Sequence, residues 1–192
     1  MNEHEKQRCF GSSPDPLMLR YHDEEWGVPL HDDQRIFEFL VLEGMQSGLS
    51  WRTVLHKREN FRRALDGFDP AKVAAYGDAE RQRLMADPGI IRNGQKIDAL
   101  INNAQRFLEA RQEFGSFDRY IWGFTGHRTL RRPEPLTREN TPTTSPESHA
   151  MAKDLKARGF RFVGPIVCYS HMQATGMVND HHTGCFRAPA PQ

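Results

Sequence analysis

Asp87-Pro88-Gly89-Ile90-Ile91-Arg92-Asn93-Gly94-Gln95-Lys96-Ile97 reads as the end of one helix, a tight glycine turn and the start of another. Proline and two glycines break the helical period, and it resumes at once beyond them. On pattern alone the segment is a plain helix–helix connection. The same geometry offers backbone N–H groups and a helix N-terminus to a phosphate, with Arg92 and Lys96 adding charge.

The surrounding chain is helical in both directions. Upstream, Asp78 opens the helix that ends near Asp87. Downstream, Gln95 to Phe114 is the longest periodic run, with Ile97, Leu100, Ile101, Ala104, Phe107 and Leu108 on one face and Gly115 as its C-terminal cap. Asp32 or Asp33 caps a helix carrying Ile36, Phe37, Leu40 and Val41. Thr53 to Leu65 forms another, with Val54, Leu55 and Phe61 inward and its basic residues outward. Asp69-Pro70 opens a short helix, Ser116 to Trp122 another, and Ser145-Pro146 starts one that Gly159 stops. Gly126 to Thr144 is polar, carries Pro133, Pro135 and Pro142, and reads as a long loop. Pro165 to Met177 is apolar and reads as buried. No stretch alternates like a strand, and the expected fold class is all-α.

The chain of 192 residues suits one domain spanning 1–192. Hydrophobic residues make up 38% and charged residues 27%, as in soluble globular proteins. No apolar run is long enough to span a membrane, and Met1 to Arg8 is polar, so a cytoplasmic protein with no membrane contact is expected, a monomer by default. A net charge of +1 argues neither for nor against nucleic acid. Local clusters do more: Arg52, Lys57, Arg58, Arg62 and Arg63; Arg92 and Lys96; Lys153, Lys156, Arg158 and Arg161. Each alone suits a solvated helix face, and together they suit a phosphate-contacting surface.

Two constellations carry chemistry. Cys9 and His22 near one end, with His181 and Cys185 one helical turn apart near the other, match the donor set of a closed tetrahedral zinc site. Such a site would staple the termini together (segments 1–30 and 165–187) without activating water. His182 competes with His181 on spacing, and two unrelated ends with free thiols fit the pattern equally well. The second is Leu42-Glu43-Gly44-Met45-Gln46-Ser47-Gly48-Leu49-Ser50-Trp51. An acid at the end of an apolar helix runs against the helix dipole and needs a partner. With Tyr21, Trp26 and Trp51 as walls, it suits a flat, polar, cationic ligand such as an extruded base; taken singly, each aromatic reads more simply as a core residue, and Glu43 could cap a nearby turn.

Together these segments resemble 3-methyladenine DNA glycosylase I, the bacterial alkylation-repair family. The likeness runs from Cys9 to Cys185. It rests on Asp15-Pro16-Leu17, Tyr21-His22-Asp23-Glu24-Glu25-Trp26-Gly27-Val28-Pro29, Leu42-Glu43-Gly44 with Gly48-Leu49-Ser50-Trp51, Lys57-Arg58-Glu59-Asn60, Gly89-Ile90-Ile91-Arg92, Gly159-Phe160-Arg161-Phe162-Val163-Gly164 and Val178-Asn179-Asp180-His181. The resemblance implies a helix-hairpin-helix glycosylase fold with structural zinc at Cys9, His22, His181 and Cys185. It implies hydrolysis of the N-glycosidic bond of 3-methyladenine in double-stranded DNA. The base would be held by Glu43, Tyr21 and Trp51, with Trp26 close by and Glu43 as the group nearest to a catalytic role. Gly48 and Leu49 would enter the gap left in the duplex, and Gly89, Arg92 and Lys96 would meet its backbone. The chain departs from the family after Cys9: the usual pocket aromatic two residues on is Gly11 here, and the aromatic is Phe10. Either Phe10 reaches the pocket by a different turn, or that wall is missing. Beyond the hairpin the helix continues through Glu109 and Glu113 with no catalytic aspartate pattern, as this family leads one to expect. A glycosylase for another alkylated base, and a zinc-stapled DNA-binding module without catalysis, share parts of this pattern.

Overall fold

Nine α-helices, two single-turn 3-10 helices (Asp66–Phe68 and Gly123–Thr125) and one pair of two-residue strands make up the regular structure among the described residues of the computed structural model, which are 6–9, 15–131 and 134–188. In chain order the elements are α1 (Pro16–Glu24), α2 (Asp33–Gln46), α3 (Trp51–Ala64), α4 (Pro70–Ala74), α5 (Asp78–Ala86), α6 (Gly94–Phe114), α7 (Phe117–Trp122), β1 (Leu130–Arg131), α8 (Pro146–Ala157), α9 (Pro165–Ala174) and β2 (Val178–Asn179).

Local chemistry sets the boundaries. Asp32, not Asp33, caps α2, its carboxylate accepting from Arg35 N at 2.9 Å. The Asp33 carboxylate instead receives Phe117 N and Asp118 N, tying α7 to the start of α2. Ser50 caps α3 and Asn93 caps α6 through side-chain oxygens. Gly115 ends α6 in the left-handed conformation, with φ of 85°.

Helix α2 runs through the middle of the core. Ile36, Phe37, Leu40, Leu42 and Met45 are buried, and α3, α6, α7 and α9 pack around it. Burial of this kind, at about 25 cal/mol per Å² of apolar surface, is the main force holding the helices together. Around α6, Phe107 stacks on Phe117 with ring centroids 3.9 Å apart.

The structure corrects the all-α expectation in one place. Leu130 and Arg131 pair in parallel with Val178 and Asn179 inside the stretch expected to be loop. Two residues are too few to show alternation, and the pairing partner lies far away in sequence. The link matters because it fixes the C-terminal segment. Leu130 N donates to Met177 O, and Thr129 Oγ1 donates to Gly176 O, each at 2.8 Å. Gly176 has φ of +70°, and a Cβ there would meet the Val28 carbonyl carbon at 2.3 Å, so only glycine allows the approach. Gly27 N and Leu30 N donate to Gln173 O and Thr175 O. The end of α1 and the end of α9 are thereby held side by side, which assembles the site.

A second correction concerns α3. Its basic residues were expected outward, yet Arg58 is 5% exposed and binds Glu38 Oε1 (2.5 Å) and Glu25 Oε2 (2.7 Å). Arg62 also reaches Glu38, Arg52 reaches Asp15, and Lys57 donates to the Pro88 and Gly89 carbonyls. Much of this basic cluster is therefore spent within the protein.

Candidate functional site

Glu43 lies on the last turns of α2, on the wall of a cavity of about 410 Å³. Tyr21 and Trp26 reach the cavity from α1 and the turn after it, Trp51 from the first position of α3, and Tyr169 and Gln173 from α9. The rings of Tyr21 and Trp51 lie 5.0 Å apart at 46°. Glu43 is 4% exposed, and its Oε2 has no hydrogen-bond partner among the described residues. Burial pushes the Glu43 carboxyl up to about 8, and no cation among the described residues offsets it. The buried Nε1 of Trp51 also lacks a partner among the described residues. Buried polar atoms are nearly always paired, so these two mark a wall shaped for something that brings its own polar edge and a flat face.

Four of the expected pocket residues thus meet: Glu43, Tyr21, Trp26 and Trp51. Phe10 and Gly11 lie outside the described residues. Three further groups on the cavity wall were not anticipated. Tyr169 OH and Gln173 Nε2 both donate to the buried Asp180 carboxylate, at 2.6 and 3.0 Å. Thr141, Pro142 and Thr143 close another side. Asp180 could have been suspected as an acid beside the expected ligand His181. The Thr141–Thr143 segment carries no periodicity and gave no signal.

Between α2 and α3 the chain turns at Ser47 to Ser50. Gly48 has φ of +78° and Leu49 is 42% exposed, so the turn lifts an apolar side chain into solvent. Lys96 stabilises this turn from below and departs from the expected phosphate-facing role. It is 8% exposed, and its ammonium donates to Met45 O (2.8 Å) and Ser47 O (2.7 Å), the carbonyls that α2 leaves open at its end. Its charge is committed there rather than presented at the hairpin surface. Gly89 sits in the α5–α6 turn, where its N–H donates to Asp87 Oδ1 and its carbonyl accepts from Lys57 and Asn60. A Cβ on Gly89 would come within 2.9 Å of Asp87 Oδ1. Arg92 in the same turn is exposed.

Cys9, His22, His181 and Cys185 converge, with their donor atoms all within 4.8 Å of one another. Cys9 Sγ lies 3.3 Å from His181 Nδ1, and Cys185 Sγ lies 3.5 Å from His181 Nδ1 and 3.6 Å from His22 Nε2. A tetrahedral zinc with ordinary bond lengths places sulfur and nitrogen donors about 3.6 Å apart, so the residues fit that ion. The outer ring nitrogens are also fixed: His22 Nδ1 faces Asp23 Oδ1 at 2.8 Å, and His181 Nε2 donates to Trp26 O at 3.0 Å. Arg8 holds the Asp23 carboxyl down to about 2. Burial pushes the Cys9 thiol up to about 12 and the His181 imidazole down to about 4. A divalent cation would reverse the first shift by displacing the thiol proton. Trp26 ties the cluster to the cavity, its ring lying 4.6 Å from that of His181.

A larger cavity, about 520 Å³, is rimmed by Arg58, Arg62, Glu25 and Glu59. Its charges largely neutralise one another in ion pairs, and Glu43 and the Cys/His cluster are not part of it.

A sequence model of the family described as methyladenine glycosylase matches residues 11–188. DNA-3-methyladenine glycosylase 1 of Escherichia coli is 48% identical over 179 residues, which cover 93% of this chain and 95% of that one. DNA-3-methyladenine glycosylase of Haemophilus influenzae is 40% identical over 178 residues, 93% of this chain and 96% of the relative. A crystal structure of 3-methyladenine DNA glycosylase I superposes with a TM-score of 0.91 at 48% identity, covering 95% of this chain and all of that one. The Staphylococcus aureus enzyme, solved for its recognition of 3-methyladenine, superposes with a TM-score of 0.89 at 35% identity, covering 94% and 95%. With a match along nearly its whole length in sequence and in fold, the chain belongs to the methyladenine glycosylase family.

Proposed function

We propose that this protein is a DNA glycosylase that hydrolyses the N-glycosidic bond of 3-methyladenine in alkylated double-stranded DNA, the first step of base excision repair. The observation that carries the reading is the unpartnered carboxyl oxygen of Glu43 on the aromatic wall of the cavity. A base methylated at N3 is flat, has an exocyclic amine to donate, and carries a positive charge. Tyr21 and Trp51 suit its faces, with Trp26 close by, and Glu43 suits its polar edge.

Charge decides the selectivity. Glu43 is mainly protonated while the cavity holds no cation, because burial raises it to about 8. A cationic base supplies the countercharge and draws the carboxyl into its ionised form. At an effective dielectric near 20, such a pair about 4 Å apart is worth about 4 kcal/mol. Unmodified adenine brings no charge and would have to share the wall with a neutral acid. In the reaction the C1′–N9 bond breaks, its electron pair leaves with the base, and the base departs neutral. Water oxygen bonds to C1′ and releases a proton. Glu43 then serves chiefly to read the base and stabilise charge, so a catalytic aspartate is not needed.

The rest of the surface suits a bent duplex. Leu49, exposed on the turn at Gly48, would fill the gap left by the extruded nucleotide. The α5–α6 connection would act as a helix-hairpin-helix element, with Gly89 and Arg92 facing the phosphate backbone. Zinc at Cys9, His22, His181 and Cys185 would serve as a structural staple, holding the segment around Trp26 in place. The reading is completed by a single domain acting as a monomer in the cytoplasm; no described helix is long and apolar enough to cross a membrane.

Excision assays on methylated DNA test the role of Glu43. Glu43→Gln, which keeps an acceptor, should slow release about tenfold, and Glu43→Ala on the order of a hundredfold. Near-normal turnover by both variants would remove Glu43 from the mechanism.

A further inference from the structure

His181 and His182 are equivalent on spacing, and the structure separates them. His181 turns Nδ1 toward both cysteine sulfurs, while His182 turns the other way. The His182 ring is buried, and its Nδ1 donates to the Cys9 carbonyl at 3.0 Å. Its backbone N–H points at Cys9 Sγ at 3.2 Å. Its Nε2 lies 2.7 Å from Thr141 Oγ1. Thr141 belongs to the segment that closes one side of the cavity beside Glu43.

We propose that His182 is a positioning residue that fastens the Thr141–Thr143 wall of the cavity to the Cys/His metal centre. The proposal rests on the reading of that cavity as the base site. Cys9 lies on one side of the His182 ring and His181 precedes it in the chain. Fixing both donors around an ion therefore fixes where the ring can reach. At the far end of the ring, Thr141 Oγ1 is also 2.6 Å from Thr137 O. Thr137 N and Asn140 Nδ2 build a compact turn through Asn140 Oδ1 and Pro135 O. Next door, Thr183 N donates to Leu136 O at 2.9 Å. The segment thus has internal order, and His182 and Thr183 dock it onto the strand of chain that carries the metal donors. The consequence is that order at the metal centre reaches the base through two routes: Trp26 on one side, and His182 with Thr141 on the other.

The test measures the Kd of free 3-methyladenine by quenching of tryptophan fluorescence, on metal-loaded protein. It compares the native chain with Thr141→Val, His182→Ala and the double variant, recording metal content and thermal midpoint for each. Each single variant should weaken base binding about three- to tenfold, the scale of one lost hydrogen bond, with metal retained. The double variant should bind no more weakly than the weaker single one, because both remove the same link. Thr141→Val leaves every metal donor untouched, so native-like affinity in that variant overturns the proposal even if His182→Ala does not fold. Native-like affinity in Thr141→Val, or losses that multiply in the double variant, would overturn the proposal while leaving the base site intact. Failure of the native protein to bind 3-methyladenine at all would overturn both.

Discussion

Replacing Glu43 with glutamine should change how stability depends on pH, and the size of the change follows from the site. In the unfolded chain the carboxyl titrates near 4.5; in the fold, burial raises it to about 8. Between these values the unfolded state sheds its proton while the folded state keeps it. Stability is therefore fully present below pH 4.5, falls as pH rises, and levels off above pH 8. At about 1.4 kcal/mol per pH unit the whole interval amounts to about 5 kcal/mol, of which about 4 falls between pH 5 and pH 9. Glutamine does not titrate. It leaves a buried amide in the same place, a cost that is the same at both pH values. Urea denaturation of the native protein and Glu43→Gln at pH 5 and pH 9 isolates the effect. The native protein should lose about 4 kcal/mol more than the variant over that range. A difference under about 1 kcal/mol would show that Glu43 has water or a partner in solution, and would refute the unpaired acid on which the site rests.

Other outcomes follow from the same geometry. Leu49→Ala should leave stability within about 0.5 kcal/mol, because the side chain is already exposed, yet weaken binding to a methylated duplex about tenfold in fluorescence anisotropy. Unchanged affinity and excision rate would remove Leu49 from the duplex gap. Metal analysis of the purified protein should find zinc, and Cys185→Ser should lower both its content and the thermal midpoint. A folded, active, metal-free protein would refute the staple.

The helices were readable because their signals are local. Asp69-Pro70, Ser145-Pro146 and Gly115 mark boundaries with residues whose side chains or φ angles act within one turn. Glu43 stood out because an acid on an apolar helix conflicts with folding, and such conflicts collect at functional sites; Tyr21 and Trp51 line the same cavity. What escaped depends on partners far apart in sequence. The pairing of Leu130 with Val178 leaves no local trace. Lys96 looks like a surface cation, and only the fold shows the open carbonyls of Met45 and Ser47 beneath it. Arg58 sits in a basic run, and its burial depends on Glu38 from α2 and Glu25 from the turn after α1. The wall at Thr141–Thr143 is polar loop in sequence and becomes part of the cavity only through contacts such as that with His182.

The most direct measurement of the central claim is to incubate the protein with methylated duplex DNA and identify the free bases by chromatography. The pocket, with its buried acid and aromatic walls, predicts release of 3-methyladenine while the sugar–phosphate chain stays intact. Binding without release, or predominant release of another base, would contradict the account.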